Sequence, residues 1–433
     1  MTIYGGLEFI DKKYKPKSTE VVCEYHVDPA KGITFEKVCE YLAGESSIGT
    51  WTKISTMNPW IAKRLKPHVF YINKKTHEVK VAYNVELFEE GNVPEILSSI
   101  AGNIYGMKQI VNLRLQDIHF PKSIIDSFLG PKFGIKGVRK LTKVYGRPLV
   151  GTIVKPKLGL TAPQHAKVAY ESWAGGLDVV KDDENLSSMK FNKFDERVRR
   201  TLKLRDKAEK ETGEKKMYMP NITAETDEML RRAEVIKDNG GEYMMIDILT
   251  VGWAALQTMR RHNEDLKLVI HAHRAMHGAL TRNPKHGISM LTLAKLSRMI
   301  GVDQLHIGTA GVGKMHGSRD EELDIEDEVE HPHISENIRA HHLSQEWYKI
   351  KPVLAVASGG LHPGMTPQLI KIMGKDIVAQ YGGGCHGHPN GTRQGGAAIR
   401  QSVDAYLKKI PLKQYAKTHL ELASALGKWG VPK

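Results

Sequence analysis

The chain has 433 residues, of which 41% are hydrophobic and 26% are charged, values typical of a soluble globular protein. This length exceeds what one minimal core requires and fits a barrel together with a second domain. The formal net charge of +14 could indicate nucleic acid or an anionic small substrate. Because the lysines are scattered and form no basic-aromatic stripe, we expect no nucleic-acid partner and only some attraction for anions.

The cysteines and the apolar runs bear on the cellular compartment. Cys23, Cys39 and Cys385 are odd in number and form no CxxC pair, which disfavours a disulfide framework or a zinc ribbon. No apolar run is long enough to span a bilayer, and the N-terminus lacks the pattern of a signal peptide. These features predict a cytoplasmic protein with no membrane partner.

Residues 1–130 mix short strands and helices. The apolar patterns predict strands at Glu20–Val27 and Val79–Tyr83 and helices at Thr34–Ala43 and Val93–Ala101. Such a mixture favours a small α+β domain at the N-terminus.

Residues 131–433 show a regular alternation of short β-rich runs and amphipathic segments. The predicted strands are Leu149–Val154, Leu177–Val180, Lys216–Met219, Tyr243–Ile248, Leu268–Ile270, Gln304–Ile307, Val353–Ala357 and Ile377–Gln380. Segments with helical periodicity lie between them, among them Phe194–Glu211, Asp227–Asp238 and Ser289–Ile300. Eight strands alternating with helices predict an α/β fold with a C-terminal (β/α)8 barrel. Polar residues cluster where the runs end, which is where this fold carries its catalytic groups.

The second of these runs leads into Lys181, Asp183 and Glu184, which suggests a metal site. Lys181 and Asp183 are two residues apart and therefore project to the same face of a strand. A simple salt bridge would account for this pattern. A sharper hypothesis is that Lys181 captures CO2 as a carbamate, whose oxygen joins the two carboxylates as hard ligands for Mg2+.

Two motifs suggest other chemistry. Gly308–Lys314 fits the opening of a nucleotide-binding P-loop, but Met315 stands where Ser or Thr should hold Mg2+, so a Gly-rich lid carrying one lysine fits better. His271 and His273 resemble the zinc pair of metal-dependent hydrolases. In those proteins the pair lies on the first barrel strand, whereas here it lies at the end of the fifth. The adjacent Arg274 favours binding of phosphate.

An ordered set of motifs resembles the large subunit of ribulose-1,5-bisphosphate carboxylase/oxygenase (Rubisco) over nearly the whole chain. The matching segments are residues 45–51, 102–103, 152–159, 175–184, 271–277, 305–309, 357–360 and 381–389. The Ile-Gly-Thr-Ala-Gly-Val-Gly-Lys segment and the short C-terminus are most similar to the archaeal form III type. The resemblance implies a ferredoxin-like fold for the N-terminal domain.

The resemblance also implies catalytic roles. Lys181, carbamylated by CO2, would hold one Mg2+ per site with Asp183 and Glu184, and its carbamate would remove the C3 proton of ribulose 1,5-bisphosphate to give an enediolate. Lys155, beside the cationic Lys157, would donate a proton to the final carbanion. His273 would carry protons during hydration and cleavage. Lys314 would stabilise the carboxylate formed from CO2, assisted by Glu45 of the partner subunit.

The substrate contacts follow from the same resemblance. One phosphate would contact Thr50, Trp51, Gly382 and Gly383, and the other Arg274, His306 and Ser358 with Gly359 and Gly360, while Lys157 and the partner subunit's Asn103 would complete substrate binding. Without the resemblance, the glycine runs could be tight turns. The implied partners are ribulose bisphosphate, CO2 and O2, in a homodimer or a higher assembly of dimers without a small subunit. The implied pathway is nucleoside monophosphate salvage.

Two departures from the family pattern bear on closure of the lid. Thr309–Lys314 carries one residue more than usual before its lysine, and the chain ends soon after Val431. We expect looser closure and poor discrimination against oxygen. A Rubisco-like enolase or isomerase of methionine salvage would share the Mg2+ site but usually lacks several of the residues retained here. A carbamylated-lysine metal hydrolase or an anion-binding scaffold are further alternatives.

Overall fold

The computed structural model describes residues 4–314 and 317–432, so Met315 lies outside the described ranges. The chain divides into two compact units. The first unit contains residues 1–129, 276–299 and 331–350, and the second contains residues 130–275, 300–330 and 351–433. The expected domain boundary at residue 130 stays a prediction about the chain.

A five-stranded mixed sheet forms the centre of the first unit. Its strands lie in the order Gly287–Ile288, Ile110–His119, Glu20–Pro29, Glu78–Asn84 and His68–Asn73. All neighbours are antiparallel except Gly287–Ile288, which runs parallel to Ile110–His119. The inward residues of Glu20–Pro29, such as Cys23, Tyr25 and Val27, are fully buried. Residues 20–25 are buried on both faces, whereas buried and half-buried residues alternate from Tyr25 to Asp28, as in a strand with one face against a core.

Helices and shorter elements complete the first unit. Its α-helices are Phe35–Glu45, Pro59–Leu65, Val93–Ile100, Lys122–Asp126, His277–Thr281 and all but the last residue of Met290–Ile300. Its 3-10 helices are Tyr4–Gly6, Val85–Leu87, Asn103–Gly106 and Ile338–Ala340, and His333–Ile334 pairs antiparallel with Gln345–Glu346. Thr34 and Asn92 cap two of the helices by accepting backbone N–H groups of the first turn.

The second unit is built around eight parallel strands. In chain order the barrel strands are Leu149–Ile153, Val179–Lys181, Met217–Met219, Tyr243–Asp247, Val269–His273, Gln304–His306, Leu354–Ser358 and Ile377–Gln380. The eighth strand pairs with the first, and a parallel bridge from Asn221, just after the third strand, to Met245 of the fourth closes the barrel. The predicted α/β class and eight-stranded barrel are confirmed, with strand ends shifted by a few residues.

Helices alternate with these strands. The α-helices of the second unit are Gly134–Thr142, Ala162–Ala174, Phe194–Thr212, Thr226–Asp238, Ile248–Leu266, Arg319–Glu330, Thr366–Met373, Gly382–His386, Thr392–Leu407, Leu412–Tyr415 and Leu420–Trp429, and Pro363–Met365 is a 3-10 helix. None of the described helices combines the length and the apolar composition needed to cross a bilayer. The three cysteines are buried and free of disulfides.

A buried apolar cluster fills the barrel from the amino ends of its strands. Leu149, Val179, Tyr243 and Val269 belong to one buried cluster that also includes Val138 of the helix Gly134–Thr142. Because this helix packs against the amino ends of the strands, the opposite, carboxyl ends remain for polar side chains. The barrel therefore presents its functional groups on the rim that this fold uses for catalysis.

Lys295 and Asp117 form an ion pair without solvent exposure in the first unit, with Nζ 2.7 Å from Oδ2. Asp117 also accepts the backbone N–H groups of Ile118 and Leu343 at 2.8 and 2.7 Å. Lys295→Met would remove this cation from a buried carboxylate, and we expect the free energy of unfolding to fall by about 3–5 kcal/mol. Urea titration followed by circular dichroism would measure this loss.

A matched control for this prediction is Lys122→Met, which removes one partner of an exposed pair with Asp126. Exposed pairs contribute about 0–1 kcal/mol, so this variant should unfold close to the wild-type urea concentration. Equal unfolding midpoints for Lys295→Met and Lys122→Met would contradict the importance of the buried pair.

Candidate active site

The second barrel strand delivers Lys181 into a cluster of carboxylates. Lys181 is 1% exposed; its Nζ donates to the carbonyl oxygen of Asp182 at 2.8 Å and lies 3.5 Å from Glu184 Oε2. Asp183, which is fully buried, accepts a hydrogen bond from Lys155 Nζ at 2.6 Å. Burial acts to raise the pKa of Glu184, but the charges of Lys181 and His273 lower it to about 2. The three expected metal ligands thus lie together, with both carboxylates next to a cation.

The backbone at this position is held on both sides. Val154 N donates to the carbonyl of Lys181 at 3.1 Å, and Asp182 N donates to the carbonyl of Met219 at 3.0 Å. Beyond the strand, Asp183 Oδ1 accepts the N–H of Asn185 at 3.2 Å, as in an Asx turn. The site residues therefore stand on a rigid strand end rather than on a mobile loop.

Asp182 forms a separate, structural charge cluster beneath the site. Its Oδ2 accepts from Arg197 Nε and from the backbone N–H of Asn221, both at 3.0 Å, and its Oδ1 accepts from Tyr218 at 2.6 Å. Burial acts to raise the pKa of Asp182, but Arg197 and His165 hold it well below its ordinary value. Because Arg197, Tyr218 and the backbone of Asn221 all bind it, Asp182 anchors the strand end.

His273 is oriented by a carboxylate that the sequence reasoning missed. Its Nδ1 donates to Asp247 Oδ1 at 2.9 Å, and its Nε2 lies 3.8 Å from Glu184 Oε2. Asp247 is the last residue of the fourth barrel strand. The rule that polar groups at strand ends form the site would have found it, since the predicted run Tyr243–Ile248 contained this single charge.

His271 and His306 form a buried pair. Their Nε2 atoms are 2.9 Å apart, and His271 Nδ1 lies 2.7 Å from Gln304 Oε1. Burial lowers the pKa of His271 to about 3 and holds that of His306 well below its ordinary value, so both rings are neutral. His271 donates to Gln304, accepts from His306, and leaves His306 Nδ1 without a proton.

This arrangement argues against the zinc-hydrolase alternative. His271 has both ring nitrogens bonded, to Gln304 and to His306, whereas His273 Nδ1 contacts Asp247, so the two histidines do not offer a shared pair of free nitrogens to zinc.

Arg274 follows the fifth strand. Burial lowers its pKa to about 10, which leaves the guanidinium charged at neutral pH. Ser358 ends the seventh strand, two residues beyond Val356, whose register partner on the sixth strand is His306. The expected residues for one phosphate thus belong to the ends of the fifth, sixth and seventh strands.

Lys314, in the segment predicted to be a lid, contacts the glycine pair after the seventh strand. Lys314 N donates to the carbonyl of Gly359 at 2.9 Å. A Cβ built on Gly360, whose φ is +76°, would lie 2.9 Å from Cβ and Cγ of Lys314. A side chain at position 360 would therefore push the lysine away, which explains the need for glycine there. Thr309 Oγ1 accepts the N–H of Gly313 at 2.8 Å and tightens the same turn.

The charge bias of the acidic run Asp320–Glu330 predicts a solvated loop or helix face. In the structure it lies in the helix Arg319–Glu330, and several of its carboxylates are buried. Glu322 is 4% exposed, and its Oε2 accepts the N–H of Thr309 at the base of the lid at 2.9 Å. Burial raises the pKa of Glu326 to about 8. Helical spacing already puts Glu322 on one face with Ile325 and Val329, a signal that the sequence analysis did not use.

Gly382 and Gly383 begin the helix that follows the eighth strand. A Cβ on Gly382 would lie 3.5 Å from Cε of Lys155, so Gly382 is adjacent to that lysine, and a Cβ on Gly383 would meet open space. Thr152 of the first strand donates to the carbonyl of Tyr381 at 2.9 Å and fixes this turn. Lys157 is exposed, with Nζ 3.3 Å from Asn185 Oδ1.

The remaining expected residues, Glu45, Thr50, Trp51 and Asn103, belong to the first unit. Glu45, Trp51 and Asn103 line a pocket of about 570 Å³, and Asn103 Nδ2 lies 3.5 Å from Glu45 Oε1. Trp51 is 81% exposed. Thr50 precedes it in the same loop.

Comparison with known proteins identifies the family. Residues 134–429 match the model of the ribulose bisphosphate carboxylase large chain, catalytic domain, and residues 8–124 match that of its N-terminal domain. The ribulose bisphosphate carboxylase of Methanosarcina acetivorans is 56% identical, covering 98% of this chain and 99% of that protein.

Solved archaeal structures agree. A dimeric archaeal Rubisco from Hyperthermus butylicus is 47% identical with a TM-score of 0.93, covering 98% of this chain and 99% of that chain. Octameric ribulose-1,5-bisphosphate carboxylase/oxygenase from Pyrococcus horikoshii OT3 is 47% identical with a TM-score of 0.91, covering 98% and 97%. The resemblance inferred from the motifs is confirmed. The chain belongs to the ribulose bisphosphate carboxylase large-chain family.

Proposed function

We propose that this chain catalyses the Mg2+-dependent carboxylation and oxygenation of ribulose 1,5-bisphosphate through a carbamylated Lys181 and an enediolate, within nucleoside monophosphate salvage. The observation that carries the proposal is the buried Lys181 beside Asp183 and Glu184 at the carboxyl end of a barrel strand. The relatives named ribulose bisphosphate carboxylase support the same reaction.

The charges of the site support the carbamate and the metal. Lys155 and Lys181 balance the carboxylates of Asp183 and Glu184, so the four groups sum to zero. Turning the Lys181 ammonium into a carbamate replaces one positive charge by one negative charge and leaves a deficit of two. A divalent cation restores neutrality, and three oxygen ligands suit Mg2+. Lys181, as carbamate, Asp183 and Glu184 would hold the ion.

When bound, Mg2+ would polarise the substrate carbonyl next to C3. The carbamate oxygen on Lys181 would remove the C3 proton, since it is the base created at the strand end. Lys155, released from Asp183 as that carboxylate becomes a ligand, would be free to donate a proton to the product carbanion. His273, held by Asp247 with Nε2 directed toward Glu184, would carry protons at that atom.

Substrate binding would use the charged and glycine-rich rim. Arg274 offers a permanent cation for one phosphate, with His306 and with Ser358 to Gly360 as further contacts. Because His306 Nδ1 carries no proton in the free site, a phosphate binding there would bring one with it. Gly382 and Gly383 would present backbone N–H groups to the other phosphate, with Lys157 nearby.

We further propose a homodimer as the smallest active assembly. Under this proposal Glu45, Thr50, Trp51 and Asn103 serve the site of the partner subunit. The dimeric and octameric states described for archaeal relatives support an assembly of this kind.

Replacing Lys181 with Met should abolish turnover, because the variant cannot form the carbamate base. The measurement is incorporation of 14CO2 into 3-phosphoglycerate with ribulose bisphosphate after preincubation with CO2 and Mg2+, and the wild type should need that preincubation. Lys216→Met removes another buried lysine of the barrel and is the control that should keep both activity and its CO2 dependence. Full activity in Lys181→Met would refute the mechanism.

Replacing Lys314 with Ala should spare proton exchange at C3 and slow carboxylation by about 10²–10³, the loss typical when one charge-stabilising donor is removed. The lid lysine can act on a carboxylate that develops only after enolisation, while the base stands on the rigid strand. Tritium wash-out from C3-labelled substrate, measured beside product formation, separates the two steps.

Lys375→Ala is the matched control for the lid lysine, since Lys375 is exposed and precedes the eighth strand at the opposite end of the barrel. It should change neither the exchange rate nor the carboxylation rate. If Lys314→Ala slowed both rates equally, the lysine would belong to the enolisation step.

Replacing Asp247 with Asn should lower kcat by about 10–100-fold with little change in KM, the loss typical when the partner that orients a histidine is removed. The carboxylate can only accept and so fixes the proton on His273 Nδ1, whereas an amide could also donate. Nitrogen-15 NMR of the histidines should show a change of the His273 tautomer, and Asp238→Asn on the surface should show none. An unchanged tautomer with reduced kcat would speak against this orienting role.

A further inference from the structure

A cluster of two histidines and one aspartate lies on the sheet of the first unit and shares no residue with the proposed active site. His26 and Asp28 are two residues apart on the strand Glu20–Pro29 and so share one face. His77 lies in the turn between His68–Asn73 and Glu78–Asn84, and its carbonyl accepts the N–H of Val27 at 2.9 Å. Strand pairing therefore fixes all three residues relative to one another.

The side-chain geometry is that of a partly assembled metal site. His77 Nδ1 lies 2.5 Å and His26 Nε2 lies 3.3 Å from the same oxygen, Asp28 Oδ1. One nitrogen or oxygen atom of each residue lies within 4.8 Å of the others. His26 Nε2 is buried and has no hydrogen-bond partner, since its contact with Asp28 lacks the geometry of a hydrogen bond. A buried ring nitrogen with no partner is costly unless a ligand satisfies it.

Neighbouring side chains orient the aspartate and one imidazole. Asn112 Nδ2 donates to the other aspartate oxygen, Asp28 Oδ2, at 2.9 Å, and Lys285 Nζ is 3.8 Å from that same oxygen. Phe35 stacks on the His77 ring with centroids 5.3 Å apart. Such outer contacts around a carboxylate and a histidine are typical of metal centres, and they leave Oδ1 to the two imidazoles.

The exposure of the cluster suits an ion. The side chains of His26 and Asp28 are 13% and 15% exposed, whereas that of His77 is 39% exposed. Water can therefore reach the cluster from the His77 side and supply a fourth ligand.

We propose that His26, Asp28 and His77 bind a zinc-class divalent ion that fastens the hairpin turn to the strand Glu20–Pro29. Two imidazoles and one carboxylate are the ligands that Zn2+ accepts in a tetrahedral site completed by water, whereas Mg2+ prefers oxygen alone. The ion takes the place of the proton between His77 Nδ1 and Asp28 Oδ1. It also becomes the bonding partner that His26 Nε2 lacks. The competing interpretation is a hydrogen-bonded cluster without a metal.

The test is titration of the full-length protein with ZnCl2 by isothermal calorimetry, after metal removal and with Mg2+ in excess. His77→Asn should lower the affinity of one zinc site at least about tenfold. Asparagine tolerates the left-handed backbone of position 77, where φ is +60°, so the variant should fold. His26→Gln should give the same loss from a regular strand position.

The matched control is His333→Asn, which removes a histidine of the first unit that contacts one carboxylate, Glu346, rather than belonging to a trio. It should bind zinc as the wild type does. Diffraction at the zinc edge from a soaked crystal should show an anomalous peak about 2.0–2.2 Å from the three ligand atoms.

An unchanged zinc affinity in both His77→Asn and His26→Gln, or a peak only elsewhere, would overturn the proposal and leave the hydrogen-bonded cluster. The carboxylation assay should be unaffected in these variants, which keeps this test independent of the proposed function.

Discussion

Buried charges must be compensated, and this constraint governs the carboxyl end of the second barrel strand. Transfer of an ion from water into a protein costs several kcal/mol, so an unpaired lysine or carboxylate would not remain charged there. The chain meets the requirement by placing Lys155 against Asp183 and Lys181 against Glu184, while Arg197 neutralises Asp182 below them. A change in the charge of one of these groups therefore has to be matched by an opposite change in the charge of another group.

The two ends of the barrel strands have different roles. Apolar side chains from the strand starts and the helix Gly134–Thr142 pack into one core, which supplies stability. The strand ends carry the polar groups, and their backbone remains hydrogen-bonded to neighbouring strands at Lys181 and Asp182. Lys314 instead stands on a loop, where its backbone N–H is bonded to Gly359. Under the proposed function, a base on a strand end and a charge-stabilising lysine on a loop would suit successive steps of one reaction.

Much of the fold could be predicted from the sequence because its strands follow local rules, and the same strand ends indicated candidate site residues, whose roles were implied by the family resemblance. Strands such as Tyr243–Asp247 show as apolar runs of five or six residues, and their positions predicted where Lys181, His273 and Ser358 would gather. The misses have physical reasons. Glu322 looked like surface because composition alone cannot distinguish a solvated acid from one that accepts backbone N–H groups. The trio of His26, Asp28 and His77 needed the register of the sheet, since His77 is about fifty positions from its partners.

The contact between Lys314 and Gly360 links two segments that are far apart in the chain. The lysine stem crosses the position that a side chain at residue 360 would occupy, and its backbone N–H is held by Gly359. Variation in the lid is consequently not independent of the turn after the seventh strand. A library that altered only the lid would sample loops that still have to rest on the same two glycines, so useful changes in closure would require both segments to vary together.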